Sequence, residues 1–179
     1  MVSISVIAPL LNEAANLHEC CQRISAALKS TGQSYEIILV DDGSTDLSLS
    51  IIENIAAKDN AVKYISFSRN FGHQQALHAG LQKSIGESVV LIDADLQDPP
   101  EIIPLLIRKL QESNDTVYAK RTARKGESFL KKITAAIFYR LLNRITHVNI
   151  PIDTGDFRIM KRHVVNELLQ MNDHAKFIR

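Results

Sequence analysis

An α/β fold, a mostly parallel sheet flanked by helices, is what this sequence predicts, and three observations predict it. Ser3 to Ala8, Tyr35 to Val40, Val62 to Phe67 and Ser88 to Ile92 are short runs apolar on both faces or nearly so. That is the pattern of strands in a sheet covered on both sides. Helical periodicities separate the runs, which implies parallel pairing through right-handed crossovers. Each run also ends in a cluster of polar residues, where an open parallel sheet places its ligands.

The elements follow in order. A first helix is apolar at Leu17, Cys21, Ile24 and Leu28; ahead of it, Asn12 and Glu13 read either as N-cap and first-turn acid or as ligands. The second helix is apolar at Leu47, Ile51, Ile52 and Ile55, with Ser44 or Thr45 as its cap and Gly43 relieving a tight turn. A third carries Ala76, Leu77 and Leu81. The fourth is expected to begin at Asp98, where Asp-Pro-Pro-Glu supplies a cap, first-turn prolines and a Glu three residues on, and to run to about Glu112. Thr116 to Ala119 reads as another strand, and Lys120 to Ser128, basic and containing Gly126, as a mobile loop.

Phe129 to Ile145 then reads as a C-terminal basic amphipathic helix. Leu130, Ile133, Ile137, Leu141 and Ile145 lie on one side, with Lys132, Arg140, Asn143 and Arg144 across the other. Such a helix packs on the sheet or lies on a membrane surface. Asp153 to Lys161 is a turn leading into a short strand, followed by a last helix from about His163 to Met171.

Composition narrows the function. The 179 residues, 45% hydrophobic and 23% charged, suffice for a single domain with a sizeable core. The formal charge of +1 hides a split after Tyr118. Residues 1–118 hold 8 Lys or Arg against 15 Asp or Glu, net −7, and residues 119–179 hold 13 against 5, net +8. We read these as two parts of one domain, the first built to hold cations and the second anions. No apolar run approaches the roughly 18 residues of a membrane span. The N-terminus has no basic n-region or cleavage site of a secretory signal. Cys20 and Cys21, the only cysteines, are adjacent in a helical pattern, which fits reduced thiols in a cytoplasmic compartment.

The polar clusters carry the chemistry. They are Pro9 to Glu13, Asp41 to Asp46, Ser68 to His73 and Asp93 to Gln97. A dinucleotide site would need Gly-x-Gly-x-x-Gly after the first strand, and there is no Gly there. Alternate residues at a strand end point to opposite sides, so in Asp93-Ala-Asp95 one carboxylate can bind a metal while the other braces the site. Both lie too early to cap the helix that follows, and the chemistry suits magnesium or manganese, with Gln97 as a further oxygen donor. Asp41 and Asp42 exceed what capping requires, and one could accept hydrogen bonds from a base or ribose. His73 and His78 do not share a helix face, which argues against a zinc pair; His73 is expected to shape the site and His78 to be structural.

Taken in order, Ile7-Ala-Pro-Leu-Leu-Asn-Glu13, Val40-Asp-Asp-Gly-Ser-Thr-Asp46, Ser68-Arg-Asn-Phe-Gly-His-Gln-Gln-Ala76, Asp93-Ala-Asp-Leu-Gln-Asp-Pro-Pro-Glu101 and Asp153-Thr-Gly-Asp-Phe-Arg158 resemble a family 2 glycosyltransferase. The likeness is to the subgroup that moves a hexose from a nucleotide diphosphate sugar to polyprenyl phosphate, the dolichol-phosphate mannosyltransferase and bactoprenol glucosyltransferase type. It implies a GT-A, Rossmann-like fold and an inverting transfer from a UDP-sugar, favoured over a GDP-sugar. It places Pro9, Asn12, Glu13, Asp42 and Asp93 at the nucleotide, Asp95 and Gln97 at Mg2+ or Mn2+, and Asp156, with Asp95, at the transfer centre. Members of the subgroup typically continue into transmembrane segments, and this sequence stops before them, which implies a C-terminally truncated chain.

A lipid phosphate acceptor, with a second pKa near about 6, is largely a dianion at neutral pH and needs cations more than a base. Arg121, Arg124, Lys131, Lys132 and Arg158 are the expected acceptor-phosphate ligands. The expected partners are therefore a nucleotide-sugar donor, polyprenyl phosphate and the cytoplasmic membrane surface, met by the basic helix, with the chain itself soluble or peripheral. A homo-oligomer is compatible with the resemblance, and nucleic acid is not an expected partner. Competing readings are a soluble family 2 enzyme acting on a sugar or protein hydroxyl, a phosphohydrolase using Asp93, and a non-catalytic nucleotide-sugar binding fragment.

Overall fold

A computed structural model describes residues 2–120 and 154–171. Their elements run β1 (Ile4–Leu10), α1 (Leu17–Lys29), β2 (Tyr35–Asp41), α2 (Ser48–Lys58), β3 (Val62–Ser66), α3 (His73–Lys83) and β4 (Ser88–Leu91). A 3-10 turn (Pro100–Ile102), α4 (Ile103–Gln111), β5 (Thr116–Lys120), β6 (Thr154–Lys161) and α5 (Arg162–Gln170) complete them. Two compact units divide the chain, Met1–Tyr118 with Asp156–Arg179, and Ala119–Gly155. The predicted loop at Lys120 to Ser128 falls almost wholly, and the helix at Phe129 to Ile145 wholly, outside the described residues, as do Arg121, Arg124, Lys131 and Lys132.

Six strands form one sheet in the order β3-β2-β1-β4-β6-β5. β1 lies parallel to β2, from Ile4 opposite Tyr35 to Leu10 opposite Asp41, and parallel to β4, from Ile4 opposite Ser88 to Ile7 opposite Leu91. β6 departs from the parallel rule, running antiparallel to β4 with Ser88 opposite Lys161 and Leu91 opposite Arg158. β1 is buried at every position and β2 at every position after Tyr35, as expected of central strands covered on both faces. Ile7, Ile38, Val40, Val89 and Leu91 pack with Ala76, Leu77 and Leu81 of α3, Met160 of β6 and Val165 of α5. A Cβ added at Gly80 would fall on the Ile7 side chain, so α3 lies close against β1 because that residue has none. On α1, Leu17, Cys21, Ile24 and Leu28 are all buried, matching their helical spacing. Burial pushes the Cys20 and Cys21 thiols up to about 12 and about 11, so neither is a reactive thiolate at neutral pH. No described helix is long and apolar enough to cross a membrane.

Three local expectations are corrected. β3 is not covered on both faces: it forms the sheet edge and exposes Lys63, Tyr64 and Ser66, polar groups that blunt an open edge. Leu47 precedes α2 and is 70% exposed, leaving Ile52 as that helix's buried apolar residue. The prolines after Asp98 first form the 3-10 turn, capped by Pro99, and α4 proper starts at Ile103. Pro100 and Pro104 each fall in the first turn of their helix, where the missing N–H costs nothing.

At the amino end of the strands, Glu36 is 2% exposed. Ser5 Oγ donates to it at 2.6 Å, Lys63 Nζ at 2.6 Å and the Ile85 N–H at 2.9 Å. Burial drives this carboxyl's pKa up, but the hydrogen bonds from Lys63, Ser5 and Ile85 outweigh it and hold the group below its ordinary value. Its stabilisation is therefore present above the unfolded value of about 4.3 and is lost as pH falls through the lower folded value. Lys63 is half exposed, so solvent screens part of its share. Glu36→Gln is expected to cost about 1–3 kcal/mol at neutral pH. Thermal melts should show the gap to the parent chain closing as pH falls below the ordinary carboxylate range.

Candidate active site

The carboxyl ends of β1, β2 and β4 converge on one edge of the sheet, and their loops are tied together by side chains. Asn12 adopts a left-handed backbone, φ 57°. Its Oδ1 accepts the N–H groups of Thr45 at 2.8 Å and Asp46 at 3.3 Å. In return Ser44 Oγ accepts the Asn12 N–H and Ser48 Oγ the Glu13 N–H, both at 2.9 Å. Asn12 thus staples the β1 loop to the β2 loop and does not cap α1, whose cap position is Asn16. The Asn16 amide donates to Glu13 Oε2 at 2.7 Å. Neither Ser44 nor Thr45 caps α2; Asp46 Oδ1 accepts the Ser48 N–H at 2.9 Å instead.

Asp41, the last residue of β2, and Asp42, the next, are both buried. Asp41 accepts from the Ser44 N–H at 3.1 Å and from Ser66 Oγ at 3.2 Å. Asp42 accepts the Phe71 N–H at 2.7 Å and the Gly72 N–H at 2.9 Å, anchoring the segment that opens α3. Asp42 also lines a cleft of about 140 Å³ with Pro9, Leu11, Asn70 and His73. Sequence reasoning treated Asp42 as a ligand group and missed its grip on the 71–72 backbone.

Beyond β4 the carboxylates gather. Continuing the β4–β6 register by two residues from Leu91 opposite Arg158 sets Asp93 opposite Asp156. His73, the first residue of α3, closes the cluster, with Nε2 3.3 Å from Asp156 Oδ2 and 3.6 Å from Asp93 Oδ1. One ligand atom from each of the three lies within 4.8 Å of the others, a spacing that could hold a metal ion. Burial pushes the Asp93 carboxyl above its ordinary value; His73 opposes the rise, while Asp156, Asp95 and Asp98 add to it. Facing carboxylates held partly out of water are a hard-oxygen, negatively charged set, the chemistry that fits a divalent cation such as magnesium or manganese. Asp95 lies on the turn that follows, where its Oδ1 accepts the Gln97 N–H at 2.9 Å and Leu96 takes φ 61°. Gln97 is exposed. Arg158, two residues beyond Asp156 on β6, is buried with its guanidinium 5.6 Å from the centre of the Tyr118 ring.

The structure therefore joins Asp93 and Asp156, puts Pro9 and Asp42 in the cleft beside His73, and leaves Asn12 and Glu13 in loop-to-loop bonds. The sequence marked His73 as a residue that shapes the site but did not show its place at the junction of two carboxylates. Its signal, the antiparallel return of β6, needs the strand pairing to be known.

A layered, mostly parallel sheet whose carboxylates collect beyond its central strands is the GT-A architecture. A mannosyltransferase from Pyrobaculum calidifontis, solved with GDP-Man and Mn2+, has this fold with a TM-score of 0.66 at 24% identity, over 92% of this chain and 46% of its own. The model of glycosyl transferase family 2 matches residues 5–169, and the chain belongs to that family. An uncharacterized glycosyltransferase of Bacillus subtilis, YkcC, is 48% identical over 99% of this chain and 55% of its own length. The bactoprenol glucosyl transferase of Shigella phage SfX is 39% identical over 99% of this chain and 58% of its own. The chain thus spans little more than half the length of the curated relatives it matches.

Proposed function

We propose that this protein transfers a hexose from a UDP-sugar to polyprenyl phosphate at the cytoplasmic membrane face, with inversion at the anomeric carbon. The observation that carries the reading is the meeting of Asp93 with Asp156 beyond the end of β4, in a family 2 chain 39% identical to a bactoprenol glucosyl transferase. Pro9 and Asp42 border the nucleotide, with Asn12 and Glu13 fixing the loops that frame it, and Asp93 contacts the donor. Asp95 and Gln97 hold Mg2+ or Mn2+, while Asp93 and Asp156 add to the field that attracts it. When bound, that ion neutralises charge growing on the departing diphosphate. Arg158, with Arg121, Arg124, Lys131 and Lys132, holds the acceptor phosphate. The basic segment 119–179 meets the bilayer surface.

A phosphate dianion attacks without surrendering a proton, so Asp156 orients the acceptor and stabilises the oxocarbenium-like sugar without acting as a base. Asp156→Asn is accordingly expected to retain measurable transfer with a flat rate across neutral pH. A near-complete loss, with the parent rate tracking one carboxylate titration, points to a hydroxyl acceptor. The donor half of the reading is tested by thermal shift with UDP, GDP and their sugars, with and without Mn2+. A ligand at about 100 times its Kd stabilises the folded state by about 2.7 kcal/mol. We expect the largest shift for a UDP-sugar with Mn2+; the same shift without Mn2+ would contradict a metal-linked donor site.

A further inference from the structure

Asp93, two residues past the end of β4, and Asp156 on β6 come together with a carboxylate oxygen of each within 4.8 Å of the other, and like charges at that separation repel. The strands fix their backbones but not the rotation of their carboxylates. Among the described residues His73 meets both, at 3.3 Å from Asp156 and 3.6 Å from Asp93. It is itself placed rigidly, as the first residue of α3, after a Gly72 with φ 99° whose N–H is held by Asp42 at 2.9 Å. A chain of contacts thus runs from Asp42 through the 71–72 backbone to His73 and on to Asp156. Asp156 is the more enclosed end of that contact, its side chain 11% exposed against 40% for His73.

We propose that His73 is a positioning residue for the transfer step: it fixes the carboxylate of Asp156 relative to Asp93, and acts on the reaction only through that carboxylate. This rests on the glycosyl-transfer reading above. A misplacement of about 1 Å at a reacting centre costs up to about 100-fold, and a carboxylate that only orients and stabilises stands at the lower end of that range.

The test is a set of variants assayed for hexose transfer and donor binding. His73→Leu is expected to lower kcat about tenfold while changing the donor Kd less than about threefold. His73→Gln keeps an N–H donor at similar reach and should stay within about threefold of the parent. In an Asp156→Ala background, His73→Leu should cause no further loss, because the group it positions is gone. The proposal is overturned if His73→Leu transfers at the parental rate, if Gln is as impaired as Leu, or if the loss adds in full to that of Asp156→Ala. If the parent protein transfers no hexose at all, the functional reading fails, and crystal structures of the parent and His73→Leu decide the positioning role alone. An Asp156 carboxylate turned away from Asp93 in the variant supports it, and an unmoved one overturns it.

Discussion

Asp95→Ala is expected to lower hexose transfer by about 100- to 1,000-fold while leaving the protein folded. The carboxylate is half-buried on the turn after β4, and the bond the structure gives it is the Gln97 N–H at 2.9 Å. Losing one such bond costs about 1 kcal/mol of stability, a small share of what a domain of this size has. If Asp95 holds the ion as proposed, its loss would remove a group that matters most in the transition state, so the rate would fall far more than the stability. Initial rates against Mn2+ concentration, beside a thermal melt, separate the two. A variant within about tenfold of the parent at saturating Mn2+ would remove Asp95 from the metal site.

Gly43→Ala is expected to be the most damaging single-methyl change in the site. Gly43 has φ 74°, and an added Cβ would lie 2.7 Å from the Asn70 nitrogen and against the Arg69 backbone. Left-handed strain and overpacking against main chain, which cannot rotate away, each cost about 1–3 kcal/mol, so a loss of about 2–5 kcal/mol is expected. The collision also pushes on the 69–72 segment that Asp42 anchors, so the cleft lined by Pro9, Asp42 and Asn70 should deform and donor binding should weaken together with stability. Urea unfolding midpoints check the first consequence and donor calorimetry the second. An unchanged midpoint would show that the β2 and β3 loops part without cost.

How much of this was legible in the sequence depends on what kind of information each element carries. β1, β2 and β4 are plain from their apolar runs because central strands must be apolar on both faces. The buried stripe of α1 follows its helical spacing, and α5 begins at Arg162, one residue before the expected His163. β3 misled because an edge strand can hold Val, Tyr and Ile while still exposing three of its five residues. Asn12 misled for another reason. Its side chain has an ordinary capping chemistry, but its partners, Thr45 and Asp46, lie more than thirty residues away on the neighbouring loop. The carboxylates of the site were legible as types at strand ends. The meeting of Asp93 with Asp156 was not, since it depends on an antiparallel register that no local pattern encodes. His73 joins them only once that register and the Gly72 turn are in place.

The charge asymmetry ties these pieces to the chemistry. The net −7 of residues 1–118 contains the described carboxylate cluster apart from Asp156, and the net +8 of residues 119–179 contains every proposed acceptor-phosphate ligand. The most direct test of the central proposal is an assay of the purified protein with labelled UDP-glucose, Mn2+ and two competing acceptors, polyprenyl phosphate in mixed anionic vesicles and a free sugar. The proposal predicts a metal-dependent, acid-labile lipid-linked hexose and release of UDP. Transfer to the sugar hydroxyl alone, or donor binding with no product on either acceptor, would contradict it.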